Sequence, residues 1–90
     1  MDLINTIGYM KSDSYKKRFI AEYWQNRIRM QKLDNMLSKL AAGTLNFVPD
    51  TPRAILRKQS DLMHKLDEIY QQRAIYENIK LEAEEWARNA

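Results

Sequence analysis

The fold is decided by residues 51–88, which read TPRAILRKQSDLMHKLDEIYQQRAIYENIKLEAEEWAR. From Arg53 onward this stretch contains neither Gly nor Pro, and its side chains keep a seven-residue period. Residues spaced alternately four and three apart share one face of an α-helix. Those of the predicted seam are Ile55, Gln59, Leu62, Leu66, Ile69, Arg73 and Tyr76. The stretch therefore predicts one long helix over 52–88, which Thr51 can cap and in which Pro52 suits the first position.

A second long helix is predicted over residues 14–42. Its seam repeats the same spacing and consists of Phe19, Tyr23, Asn26, Met30, Leu33, Leu37 and Leu40. Ser12 or Ser14 can cap its start, and Gly43 stands where a left-handed C-cap is needed. Residues 43–51 are then a loop, and residues 1–11 a short helix. We expect an all-α fold: a single domain over residues 1–90 that forms an antiparallel helical hairpin with a short N-terminal helix.

The length and composition favour self-association. A chain of 90 residues leaves much of its surface in water and has a thin core. A second apolar line, formed by Ile20, Trp24 and Ile28, lies beside the seam of the first long helix. The longer second helix should also extend beyond the first, with Ile79 and Trp86 on one side of the overhang. We expect these residues to form a homo-oligomer interface, although the N-terminal segment is an alternative cover for both surfaces.

Several classes of site find no support in the sequence. The chain has no cysteine, and its single histidine, His64, pairs with Asp61 at helical spacing without the second such pair that a di-metal site needs. Ser38 and Ser60 lie on helices, without the strained turn of a nucleophilic serine. We therefore expect no metal, no cofactor and no enzymatic activity. No signal peptide or transmembrane run is recognisable, so we expect a cytoplasmic protein.

Charge is divided unevenly along the chain. Residues 11–65 contain twelve Lys or Arg and five Asp or Glu, whereas residues 66–90 contain three and six. A basic body suits an anionic partner, although solvated helix faces would explain the same counts. The net charge of +3 is small for a dedicated nucleic-acid binder, so nucleic acid is not the expected partner.

Candidate ligand-binding residues lie near both ends of the second long helix. Arg53, Arg57 and Lys58 fall in its first turns, where cations oppose the helix dipole but would suit a phosphate. At the other end, Arg73 interrupts the seam. Such a polar residue either fixes helix register or lines a cavity between subunits. Tyr76 or Phe47 could then stack on a base.

Four segments resemble a known family of small phage proteins. They are YKKRFIAEY at 15–23, KLDNML at 32–37, AGTLNF at 42–47 and RAIYENI at 73–79. Together they are similar to uncharacterised proteins related to a protein of crAss-like phages, over about residues 13–81. The predicted hairpin is also similar in architecture to phage sponge proteins that inhibit CBASS and Thoeris defence.

The resemblance implies a counter-defence protein that acts in the infected bacterial cell. The first hypothesis is a binding protein that sequesters a nucleotide immune signal, of the cyclic oligonucleotide or cyclic ADP-ribose type, without cleaving it. The competing hypothesis is an inhibitor that blocks a host defence nuclease or regulator, as anti-CRISPR proteins do. In the second case, Ile20, Trp24 and Ile28 would anchor the host protein.

Overall fold

A computed structural model describes residues 3–81 and confirms the all-α hairpin. A 3-10 helix over Leu3–Thr6 leads directly into a single helical turn, α1, over Ile7–Met10. The two long helices are α2, over Tyr15–Ala42, and α3, over Arg53–Tyr76. They pack against each other along most of their length, and no strand occurs in this part of the chain.

Helix α2 begins and ends close to its predicted bounds, because its caps are local. The Ser14 hydroxyl accepts a hydrogen bond from the Lys17 amide at 3.5 Å. At the other end, Gly43 has φ of 73°, and the Thr44 amide donates to the Lys39 carbonyl at 2.9 Å. This left-handed turn satisfies carbonyls that the helix leaves without partners.

The N-terminal segment covers the side of α2 that faces away from α3. Thr6 is fully buried, and its hydroxyl accepts a hydrogen bond from the Gln25 amide at 3.0 Å. Ala21 and Ile28 lie on the same face of α2 as Gln25 and are buried, with 0% and 4% exposure. The chain itself therefore supplies the cover for this part of the second apolar line.

The start of α3 differs from the prediction in its cap. Pro52 is the N-cap, and no side chain makes a capping hydrogen bond, so the Thr51 hydroxyl does not have the predicted role. The first amides of the helix are thus open to an acceptor from outside it.

The prediction that this helix continues to residue 88 is wrong. Helix α3 ends at Tyr76, and Asn78 takes a left-handed conformation with φ of 54°. The Ile79 amide then donates to the Ala74 carbonyl at 2.8 Å, and the Ile79 side chain joins Phe19 and Ala74 in the core. The reason is a Schellman turn, which closes the helix and brings the next apolar residue back onto it. The predicted helical residues 82–88 lie outside the described part of the chain.

The predicted seam of α3 is also wrong, since it faces solvent. Its apolar members are between 39% and 91% exposed. The face in contact with α2 lies about 100° further around the helix and consists of Leu56, Ser60, Met63, Asp67, Tyr70 and Ala74. This face keeps the same spacing of four and three, and its polar members find partners on α2.

Candidate ligand-binding site

Two cavities lie side by side at the end of the hairpin where the loop joins α2 to α3. The first, of about 340 Å³, lies between the two helices and is lined by Leu37, Ser38, Ala41, Arg57, Ser60 and Asp61. The second, of about 320 Å³, lies under the loop and is lined by Leu40, Val48, Pro49, Asp50, Thr51, Pro52 and Arg53. Arg57 lines the first cavity and Arg53 the second, and the two residues are one turn apart on the same side of α3.

The electrostatics of this end favour an anion. Among residues 3–81, neither Arg53, Arg57 nor Lys58 makes an ion pair, although Asp50 and Asp61 line the cavities. The first turn of α3 adds backbone amides that no side chain caps. Two arginines that line the cavities therefore lie at a helix N-terminus, and Lys58 follows Arg57 in the chain.

A polar cluster adjoins the first cavity through Ser60. Ser60 is 7% exposed and donates a hydrogen bond to Asp34 Oδ1 at 2.5 Å, and His64 Nε2 lies 2.7 Å from Asp34 Oδ2. The carboxylate thus stands between the hydroxyl and the imidazole. A serine nucleophile needs the imidazole hydrogen-bonded to its own hydroxyl oxygen. Here Asp34 contacts both groups, so the cluster links α2 to α3 and does not activate Ser60.

His64 therefore pairs across the hairpin and not with Asp61 on its own helix. Within the described ranges, no group of three or more His, Cys, Asp or Glu side chains is placed to hold a metal ion. The sequence did not reveal this cluster, because the pairing of Asp34 with α3 depends on how the two helices are aligned.

A third cavity, of about 450 Å³, lies at the opposite, open end of the hairpin beside Trp24. Arg27 donates to the Tyr23 hydroxyl at 2.8 Å and lies 3.4 Å from Asp67 Oδ2, and Gln71 donates to the same oxygen at 2.7 Å. Burial raises the pKa of the Tyr23 hydroxyl, against the opposing effect of Arg27. Because Asp67 already neutralises Arg27, this cavity is less favourable for an anion than the cavities at the loop end.

Comparison with known families identifies the chain. The model of the Sequestin family matches residues 13–76, which is more than half of the chain. The chain belongs to the Sequestin family. No curated protein and no solved structure matches it. The Sequestin name indicates a protein that binds and sequesters a molecule.

The Sequestin match covers both long helices and the loop, and so contains both cavities at the loop end. It also supports the expected likeness to sponge-like phage proteins. The N-terminal segment and residues 77–81 lie outside it. In residues 3–81, none of the helices has both the length and the apolar character needed to cross a membrane.

The predicted ligand-binding residues separate into two groups within this Sequestin chain. Arg53, Arg57, Lys58 and the half-exposed Phe47 lie at the loop end. Arg73 lies about 24 Å further along α3 from Arg57, where its guanidinium is 4.7 Å from the centroid of the Phe19 ring. One copy therefore does not bring the two groups together.

Arg73 also has partners of its own. It donates to the Tyr15 hydroxyl at 2.6 Å and lies 3.4 Å from a Glu77 carboxylate oxygen. Its place in the seam is thus explained by contacts at the surface of the hairpin. Tyr76, one turn beyond it, is 91% exposed.

The residues predicted for an oligomer interface are mostly engaged within the chain. Ile28 and Ile79 are 4% and 8% exposed, and so present almost no surface to another copy. Ile20 is partly buried against the Phe19 core. The Trp24 indole is partly buried and donates to the Leu81 carbonyl at 2.8 Å, and Trp86 lies outside the described residues.

Proposed function

We propose that this chain sequesters a nucleotide immune signal in the infected bacterial cell, holding it at the loop end of the hairpin without cleaving it. The signal would be of the cyclic oligonucleotide or cyclic ADP-ribose type. Family membership supports sequestration of a signal molecule. The residues at the loop end support the chemical class of the ligand.

One observation carries the proposal: Arg53 and Arg57 line adjacent cavities at the uncapped start of α3 and have no acidic partner in the described chain. Guanidinium groups bind phosphate through paired, charge-assisted hydrogen bonds. Phosphates of a nucleotide would meet both side chains and the open amides, with Lys58 adding to the positive potential.

The size and apolar lining of the two cavities agree with a nucleotide. Each is within the usual range for a small-molecule site, which begins at about 300 Å³. Leu37, Leu40 and Val48 supply apolar contacts for a base or a ribose. Phe47 is 53% exposed and precedes Val48 in the loop, so its ring is available to stack on a base.

The proposal that the ligand stays intact rests on the polar cluster beneath the site. Ser60 donates to Asp34 and is not aligned with His64 as a nucleophile would be. Holding without turnover also agrees with the family name.

Titration calorimetry against cyclic dinucleotides, cyclic trinucleotides and cyclic ADP-ribose isomers tests the proposal. At least one of these ligands should bind, and the ligand released by denaturing the complex should have its original mass. Absence of binding to all of them, or recovery of a hydrolysed product, would contradict the proposal.

Arg57→Glu locates the site. It should weaken binding by about 2–5 kcal/mol, because a charge-assisted bond is lost and a repulsion is introduced. Helicity should be unchanged, since an acidic residue near a helix N-terminus suits its dipole. The matched control is Arg29→Glu, which makes the same charge change at an exposed position of α2. Equal weakening by both variants would indicate a general charge effect and not a site.

A further inference from the structure

We propose that Asp61 and Ser60 bind the hydroxyl groups of a ribose in the first cavity at the loop end, beside the arginine that binds phosphate. This inference rests on the proposed function, because it assigns a second part of the same nucleotide site. Asp61 is then a specificity-determining residue, which selects a ribose over a sugar without hydroxyl groups.

Asp61 is an acidic residue in a site that otherwise suits phosphate. It lines the first cavity together with Arg57, just as Asp50 lines the second cavity together with Arg53. A carboxylate repels phosphate, so an acidic residue beside each arginine weakens an anion site unless the ligand also carries hydrogen-bond donors. Each cavity thus combines a group that binds an anion with a group that binds a donor.

The fold itself does not account for Asp61. It lies about two turns from the start of α3, beyond the first turn, where an acidic side chain suits the helix dipole. Arg57 and Lys65 are each four residues away on the helix surface, yet neither forms an ion pair with Asp61 within residues 3–81. His64, three residues further on, contacts Asp34 of α2 instead. The Asp61 carboxylate is therefore available to accept hydrogen bonds from a ligand.

Ser60 presents a second acceptor to the same cavity. It is 7% exposed, and its hydroxyl donates to Asp34 Oδ1 at 2.5 Å. A serine hydroxyl has one proton and two lone pairs, so a hydroxyl that donates to Asp34 has only acceptor capacity left for the cavity. His64 contacts the other oxygen of Asp34 and so helps to hold the carboxylate in this orientation. Two successive residues of α3 therefore accept hydrogen bonds, and a matching ligand donates to both.

A ribose with free 2′ and 3′ hydroxyls matches this pair of acceptors. Its hydroxyls are two donors on neighbouring carbons, and dinucleotide-binding folds likewise recognise ribose through a carboxylate. Asp61 lies about 6 Å further along α3 than Arg57, a distance that one sugar ring spans between its hydroxyls and its 5′ phosphate. Leu37 and Ala41 line the same cavity from α2 and give the ring an apolar surface.

The two interactions together set the direction of the ligand. Phosphate lies toward the loop, beside Arg57 and the uncapped start of α3, and the sugar lies toward the middle of the hairpin, beside Asp61. The reverse direction would place phosphate against Asp61, which repels it.

Calorimetry of the full chain with ADP and with 2′,3′-dideoxy-ADP at millimolar concentration tests the inference. Both probes carry the same base and the same two phosphates, and they differ in the two sugar hydroxyls. ADP should bind at least about tenfold more tightly, because the analogue leaves a charged acceptor and a buried acceptor without donors. Similar affinities for the two probes would overturn the inference.

Asp61→Ala distinguishes hydroxyl binding from a charge effect. The variant should bind ADP about tenfold more weakly and inorganic pyrophosphate as tightly as the unaltered chain or more tightly, because a repelling charge is removed. Tighter binding of ADP by the variant would show that Asp61 acts only through its charge, and would overturn the inference.

The matched control is Glu68→Ala, which removes the same charge from an exposed position of α3 about 10 Å beyond Asp61. It should leave the affinity for ADP unchanged within about twofold, since a single distant surface charge is screened. Equal weakening of ADP binding by Asp61→Ala and Glu68→Ala would overturn the inference.

Failure of this inference is distinguishable from failure of the proposed function. If a cyclic nucleotide binds the unaltered chain but ADP does not bind at millimolar concentration, or binds no better than its dideoxy analogue, the ribose site is overturned and sequestration stands. If neither the cyclic nucleotides nor ADP binds, both proposals fail.

Discussion

Left-handed backbone at two residues decides where the long helices end. Gly43 and Asn78 have φ of 73° and 54°, and in both cases the next amide reaches back to a carbonyl five residues earlier. Gly43 adopts this conformation without strain because it has no Cβ. Asn78 tolerates it because Asn is the residue that most often replaces Gly there.

The two glycines of the chain should respond to alanine in opposite directions. Gly43→Ala should lower the free energy of unfolding by about 1 kcal/mol, because the added Cβ opposes positive φ. Gly8 lies in α1 with nothing within 4 Å of a Cβ built there. Gly8→Ala should therefore raise the free energy of unfolding by about 0.5 kcal/mol.

Urea denaturation followed by circular dichroism measures both changes, each variant acting as the control for the other. Equal effects of the two substitutions would show that the left-handed turn after α2 does not contribute to stability.

Helix α3 carries two apolar faces, of which one packs against α2. The face toward α2 contains Tyr70, whose ring packs edge-on against Phe19 with centroids 5.6 Å apart. The adjacent face, which the sequence predicted as the seam, contains Leu62 and Leu66 and is open to solvent.

The segment after α3 should contribute to stability through one side chain. Ile79→Ala should lower the free energy of unfolding by about 2 kcal/mol or more, since it removes buried methylenes beside Phe19 and Ala74. Ile75→Ala makes the same change where the side chain is 80% exposed, and should cost less than about 0.5 kcal/mol. Thermal denaturation of both variants checks this difference, and similar losses would contradict the fold-back of Ile79.

Local signals explain what the sequence could and could not predict about these elements. Ser14 and Gly43 act on their nearest neighbours, so the bounds of α2 followed from residue type alone. The end of α3 did not follow from residue type, because Asn78 occupies the left-handed position at which glycine is usually found. The face of α3 was predicted wrongly because both candidate faces have the same spacing.

The candidate site was predictable in part. Arg53 and Arg57 were recognisable because cations oppose the dipole at a helix start. The bond between Ser60 and Asp34 was not, since residues on two helices meet only when the alignment of those helices is known.

Packing is distributed unevenly over the whole molecule. The open end of the hairpin contains the aromatic contacts of Phe19, Tyr23 and Tyr70, together with the buried Ile79. The loop end contains the polar cluster of Asp34 and the two cavities. The core thus stabilises one end, while the other carries the unpaired cations Arg53 and Arg57.

Alkaline pH should weaken the fold as a whole. Burial raises the pKa of both Tyr23 and Tyr70 above the ordinary value of 10.0, so the folded state holds these protons more tightly than the unfolded state does. Their contribution is fully present below pH 10 and is lost as the pH rises through the raised values. Tyr70→Phe keeps the ring contact and removes one titrating group.

Urea denaturation at pH 8 and at pH 11 measures this effect. The loss of stability between the two should be smaller in Tyr70→Phe than in the unaltered chain. Tyr76→Phe is the control, because that ring is 91% exposed. An equal reduction in both variants would contradict a role for burial.

The hydrogen bond from Trp24 to the Leu81 carbonyl gives the molecule an internal optical reporter. The chain has two tryptophans, so Trp86→Phe leaves the Trp24 indole as its single tryptophan fluorophore. Indole emission shifts to longer wavelength when water replaces a protein partner. The emission wavelength would therefore report whether residues 77–81 stay docked at the open end. It can be followed in the same sample while a ligand is titrated at the distant loop end.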